Sequence, residues 1–251
     1  MTRLFPLLAT AAMAALPQLP AGVILSTDFK DAEVRSYTNA DTIGSGEAQM
    51  ATRLEIPNVE ILVAEADGAH VLEFINNGTE WGQAGAVKTI APEIAAEKDL
   101  VLKGSVVFTP LTVSGGRGIF QVAVNSGDWL TTSKTVTAVH ITLESNLGLK
   151  YVSDARSKPA AKLQADTRYR LEFSADFSNP QQNTWEFAVY FDDDAAGKEP
   201  IFASGPLNTR APHITPGIFA LGCGVGGGAS SDPFVRIHRV SLTQAAASTP
   251  R

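Results

Sequence analysis

Several stretches of this chain change polarity at every second residue, and that period admits one kind of local structure. In "TRYRLEFSADF", Tyr169, Leu171 and Phe173 alternate with Arg168, Arg170 and Glu172. In "TWEFAVYF", Trp185, Phe187, Val189 and Phe191 alternate with Thr184, Glu186, Ala188 and Tyr190. "AVHITLES" sets Val139, Ile141 and Leu143 against His140, Thr142 and Glu144, and "GIFQVAVNSG" sets Phe120, Val122 and Val124 against Gln121 and Asn125. Successive side chains of a strand point to opposite faces, so each stretch predicts a strand with one core face and one more polar face. Further strands are expected at 23–29, 70–76, 101–109, 217–222 and 234–242. Helix formers gather only in "APEIAAEKDL" (91–100), with Pro92 at a tolerated first-turn position. "NNGTEWGQAG", "SGGRG", "SNPQQN" and "GGGASSDP" punctuate the strands. Strands without α/β alternation indicate an all-β antiparallel sandwich or barrel in one domain.

In the closing strand "DPFVRIHRVSL", Val235 and Ile237 share one parity while Val240 and Leu242 share the other. A bulge around His238–Arg239 reconciles them, because one extra residue exchanges the faces.

The start of the chain, "MTRLFPLLATAAMAALPQLPAG", places Arg3 before an apolar stretch from Leu4 to Leu16, followed by small residues and prolines. That order reads as a signal peptide over 1–22, too short and proline-bounded to span a bilayer. The expected organisation is one domain over 23–243 and a flexible tail over 244–251. The expected location is secreted, periplasmic or cell-envelope, with no membrane span in the mature protein. The single cysteine, Cys223, excludes an intrachain disulfide, so stability must come from a large core. With 44% hydrophobic residues the chain can build one. A net charge of −6 without clustered Lys or Arg argues against a nucleic-acid partner.

The order of the second half, "TRYRLEFSADFSNPQQNTWEFAVYF", then "PGIFALGCG", then "SSDPFVRIHRVSL", resembles the concanavalin A-like lectin/glucanase superfamily. More narrowly, it is similar to the laminin-G-like jelly rolls of secreted bacterial proteins. The resemblance implies that the "YRLE" and "WEFAV" strands pair. It also implies that the closing strand returns beside the N-terminal "STDF" (26–29), with His238 where an Asp is common. It implies two curved antiparallel sheets, a β-sandwich of jelly-roll type, with a concave face suited to polysaccharide. Fold alone does not assign function.

Four sets of residues are candidates for chemistry. Asp192, Asp193 and Asp194 follow a strand and precede Gly197 and Pro200, a turn composition in which aspartates bond nearby backbone amides. Three adjacent aspartates cannot all face one ion, so the run reads first as a solvated turn, with a structural calcium or salt bridge as the other reading. No other cofactor is called for. The "E-x-D-x-E" strand of a retaining glycosidase, whose carboxylates lie about 5–5.5 Å apart, does not occur in the sequence. A polysaccharide lyase needs a base and a group that neutralises a uronate carboxylate. His140, on the polar face of its strand, fits the first role, and Gln121 and Arg53 fit the second. The alginate-lyase strand "Q-[IV]-H" and the segment "Y-F-K-A-G-x-Y-x-Q" are missing. Glycan binding without catalysis asks only for aromatic platforms and polar partners. Trp129 with Asp128 in "NSGDWLTTS", and Trp81 in "NNGTEWGQAG", stand in polar, glycine-bearing segments that suit the task.

The sequence therefore points to a secreted, non-catalytic jelly-roll domain that binds carbohydrate or another extracellular surface. A polysaccharide-degrading enzyme, lyase before hydrolase, is the first alternative. A structural or adhesive envelope protein is the second.

Overall fold

The computed structural model describes residues 22–54, 59–76, 82–112, 117–127, 137–154, 156–179, 181–192, 199–226 and 232–246. These form β1 (Gly22–Thr27), β2 (Arg35–Tyr37), β3 (Thr42–Ile43), β4 (Met50–Leu54), β5 (Val59–Ala66), β6 (Ala69–Asn76), β7 (Gly82–Thr89), β8 (Leu100–Pro110) and β9 (Arg117–Asn125). They continue through β10 (Thr137–Leu143), β11 (Gly148–Ser153), β12 (Arg156–Lys162), β13 (Tyr169–Asp176), β14 (Thr184–Phe191), β15 (Phe202–Ala203), β16 (Leu207–Asn208), β17 (Ile218–Gly226) and β18 (Pro233–Ala246). The helical signal at 91–100 yields one turn, α1 (Pro92–Ala95), before β8 begins at Leu100.

The strands make two antiparallel sheets. Sheet A runs β15-β14-β13-β8-β18-β6-β5-β2, with β1 on β18 and β16 on β14; sheet B runs β12-β11-β10-β9-β17-β7-β4-β3. The sandwich is of jelly-roll type, as the sequence predicts. Both pairings implied by the quoted motifs occur: Leu171 faces Val189 and Phe173 faces Phe187, while Ser26 faces Ser241 and Thr27 faces Val240. The register between β18 and β8 slips between Ile237 and Arg239, which makes His238 the bulged residue. Its ring nitrogen lies 2.8 Å from Thr109 Oγ1.

The inner faces of the sheets meet in one continuous core. Phe173 of sheet A stacks on Phe219 of sheet B with centroids 6.1 Å apart. The Phe173 ring also lies over Gly104, where an added Cβ would come within 2.2 Å of it, so that position in β8 has no room for a side chain. At one end of the core Tyr151 of sheet B meets Trp185 and Phe187 edge-on. Cys223 is fully buried in this layer, and burial pushes its thiol far above the ordinary range, which fits a structural role.

Two expectations need correction. Phe191 has the parity of Trp185, Phe187 and Val189, yet it is 45% exposed at the end of β14, where it packs only partly on Tyr169. And β18 keeps its pairing with β8 through Ala246, three residues into the segment expected to be a flexible tail.

Candidate functional site

The two sheets treat their outer faces differently. In β13 and β14 burial alternates with polarity, so that part of the outer face of sheet A is solvated, although Val71–Ile75 of β6 and Val106–Phe108 of β8 are buried on both faces. In sheet B, every residue from Phe120 to Asn125, from Thr137 to Ile141 and from Ile218 to Gly224 is buried, so the central strands are sheltered on both faces.

Register shows what that sheltered face carries. One row crosses it as Arg53, Gly85, Gly222, Gln121, Thr142 and Lys150. The neighbouring row is Ala51, Val87, Ala220, Ala123 and His140. Gly85 and Gly222 therefore leave a bare backbone floor between Arg53 and Gln121, and small apolar residues line its flank. With strands about 4.8 Å apart, Arg53 lies roughly 14 Å from Gln121, whereas Gln121 and His140 are diagonal neighbours about 7–8 Å apart. The structure thus brings Arg53, Gln121 and His140, which come from three separate strands, onto one face.

His140 is the unusual member. It is 7% exposed, and neither ring nitrogen has a hydrogen-bond partner among the described residues. Buried polar atoms are nearly always paired, and leaving one unmade costs about 1–3 kcal/mol. Burial, with the charge of Arg210 adding to it, pushes the imidazole down to about 4, so it is neutral at physiological pH. Arg210 reaches this end of the sheet from a loop pinned by the buried Asn183. Asn183 Oδ1 accepts the Ile214 amide at 2.6 Å, and its backbone N–H donates to Pro212 O at 2.7 Å. Lys150, at the far end of the first row, is held by Glu144 at 2.6 Å. Arg53 is exposed and has no ion pair among the described residues.

Asp192 falls elsewhere, on the outer side of sheet A at the end of β14. Its side chain is 8% exposed and pairs with Arg168 Nε at 3.0 Å and Arg170 Nη1 at 3.9 Å. This is a salt bridge rather than a solvated turn. Among the described residues no group of three or more His, Cys, Asp or Glu is arranged to hold a metal ion. Asp193, Asp194, Trp81, Asp128 and Trp129 lie outside the described residues. Thr142, Lys150 and Arg210 were not singled out from the sequence. Thr142 shares the parity of His140 and was legible in that sense, but Lys150 and Arg210 join the site only through pairing and loop path.

No family model matches the chain, and no curated protein is significantly similar to it. Its fold is similar to a protein of unknown function from Shewanella oneidensis MR-1 (TM-score 0.51, 11% identity, 96% of this chain and 99% of that one). It is also similar to the CBM2 module of the evolved Dit of Lactobacillus casei BL23 phage J-1 (TM-score 0.50, 11% identity, 92% of this chain and 98% of that one). At such identity the likeness is one of fold: an antiparallel jelly-roll-type sandwich. No helix among the described residues is long and apolar enough to cross a membrane.

Proposed function

We propose that the chain is an exported, laminin-G-like member of the concanavalin A-like superfamily that binds an acidic glycan across the outer face of sheet B. The observation that carries this reading is His140, buried with both ring nitrogens unpartnered among the described residues, diagonal to Gln121 on a glycine-floored face that ends in the exposed Arg53. A sheltered imidazole, an amide and a guanidinium supply hydrogen bonds and one net charge for a carboxylate-bearing sugar. Ala123, Ala220 and Val87 form the buried apolar flank of that face. The carbohydrate-binding name of one fold neighbour agrees with this. Trp129 with Asp128, and Trp81, are the proposed stacking platforms, on the connections into β10 and β7.

Titration of the mature protein with polygalacturonate, alginate and hyaluronan tests the reading. Gln121→Ala, Arg53→Ala and Trp129→Ala should each weaken binding by about 1–3 kcal/mol, the order expected of an interface anchor. Wild-type protein that binds none of these polymers would end the proposal. N-terminal sequencing of exported protein should begin between Ala15 and Ser26.

The neutral His140 favours one second reading, a uronate lyase. In that reaction a base takes the C5 proton of the uronate, the freed pair forms the C4=C5 double bond, and the C4–O bond breaks with its pair on the leaving sugar oxygen, which takes a proton from water. Neutral His140 has ring nitrogens without a partner among the described residues to take the proton, and Gln121 is placed beside it to bond the carboxylate. Growth of the ultraviolet absorbance of an unsaturated uronate, abolished in His140→Ala, would replace the binding reading with this one.

A further inference from the structure

The opposite face of the molecule carries a hollow that the site on sheet B does not use. It lies along β13 and β14 on the outer side of sheet A, has a volume of about 490 Å³ and is lined by Ser105, Ser174, Glu172, Tyr190 and Ser241. A contiguous hollow of about 400 Å³ shares Lys103, Ser174 and Glu186 with it and continues to Asp176 and Thr184. From Tyr190 to Thr184 the groove spans about 20 Å, at the ordinary rise of a strand.

Its chemistry is that of a neutral polyol site. Small residues floor it: one row across the sheet reads Ser241, Ser105, Glu172, Ala188 and Ala203. The next reads Thr243, Lys103, Ser174 and Glu186. The hydroxyls of Ser105, Ser174 and Ser241 have no partner among the described residues, nor do the Lys103 ammonium and the Glu186 carboxylate. Glu172 is balanced by Arg170, whose Nε lies 2.8 Å from Oε1 although its N–H is not aimed there and finds no acceptor. In the larger hollow the charges cancel, Arg170 with Glu172 and Lys103 with Glu186, and Asp176 adds one negative charge at the far end. At one end Arg170 lies over the Tyr190 ring at 4.9 Å, which fixes that ring as a platform. Unpaired hydroxyls, a balanced pair of charges and an anchored aromatic match the hydroxyls and C–H faces of an uncharged sugar chain.

We infer that the outer groove of sheet A is a second carbohydrate site, specific for a neutral oligosaccharide, so that the protein engages glycan on both faces. The inference stands apart from the acidic-glycan reading of sheet B, because its residues and its probes differ. The test titrates the isotopically labelled mature protein with cellohexaose, xylohexaose and laminarihexaose. At least one should shift the amides of 103–105, 172–174 and 186–190. Ser174→Trp, which fills the groove, and Tyr190→Ala should each weaken that binding by at least about tenfold, while Gln121→Ala leaves it unchanged. Thermal melts of the variants verify that each folds, and the shift map of the wild type decides the location independently of them. The inference is overturned if none of the three probes binds, if the shifts fall on sheet B, or if two folded groove variants bind as the wild type does. Neutral binding without polyuronate binding would remove the sheet B reading and leave this one; the converse would do the opposite.

Discussion

The outer faces of the two sheets solve opposite problems with similar residues. Sheet A also buries a polar group: Glu73 is 5% exposed on its outer side. But Arg236, its register partner on β18, donates to it at 2.6 Å. Asp192 is treated the same way by Arg168 and Arg170. Sheet B buries His140, whose ring has no partner among the described residues. A paired buried charge contributes to holding a fold together, whereas an unpaired buried imidazole opposes folding. The contrast teaches that the buried ring of His140 is not explained by stability, and this is the physical ground for reading its face as a site.

The largest effect that sharpens the contrast is on sheet A. Arg236→Ala leaves the Glu73 carboxylate buried without its cation, and should destabilise the protein by about 3 kcal/mol, the lower end for a broken buried pair because Arg236 is one-third exposed. Denaturant unfolding measures it; a cost under about 1 kcal/mol would mean that Glu73 is solvated and that the two faces are alike.

Next comes pH. His140 has a folded value of about 4 against 6.5 when unfolded, so between those values the unfolded chain binds the extra proton. Stability is therefore fully present above about pH 6.5 and falls as the pH drops towards 4, by on the order of 3 kcal/mol from this group. His238, likewise lowered to about 4 by burial and by the nearby Arg168, acts in the same direction, but it is less buried and bonded to Thr109. The difference in slope between wild type and His140→Leu isolates the His140 share. Equal slopes would place that imidazole in contact with water.

How much of this could be read beforehand follows from the same physics. β13 and β14 were legible because each separates one polar face from one apolar face, and the bulge at His238 was legible because parity changed there. β7, "GQAGAVKT", and β12, "RSKPAAK", carry no alternation: β7 is buried on both sides and needs small residues, and β12 is a polar edge strand containing Pro159. β5, "VEILVAEA", ends in helix formers that mask its period. Gln121 and His140 were visible as polar residues on their strands. That Arg53 shares their face depends on β17 lying between β9 and β7, a pairing of distant segments that no local pattern encodes.

A smaller effect carries the opposite sign. His140→Leu removes two unsatisfied buried nitrogens and puts an apolar side chain among Ala123 and its neighbours, so it should raise stability by about 1 kcal/mol. The same variant should lose polyuronate binding. A gain in melting temperature with a loss of binding is the signature of a group kept for function; destabilisation would show that His140 is a structural residue.

The smallest effect concerns the acidic run. Asp192 bonds Arg168 and Arg170 with a largely buried carboxylate, while Arg168 remains half exposed, so solvent screens much of the attraction. Asp192→Asn keeps the shape and an acceptor oxygen but removes the charge, and should cost under about 1 kcal/mol. Because that carboxylate already faces two guanidinium groups, a cation would have to displace them to bind it. Calcium should therefore leave the melting temperature of wild type and variant equally unchanged. If calcium instead raises the wild-type melting temperature and Asp192→Asn abolishes that rise, the carboxylate is a metal ligand. The account of sheet A as a face where every buried charge is met by an arginine would then fail at this end of β14.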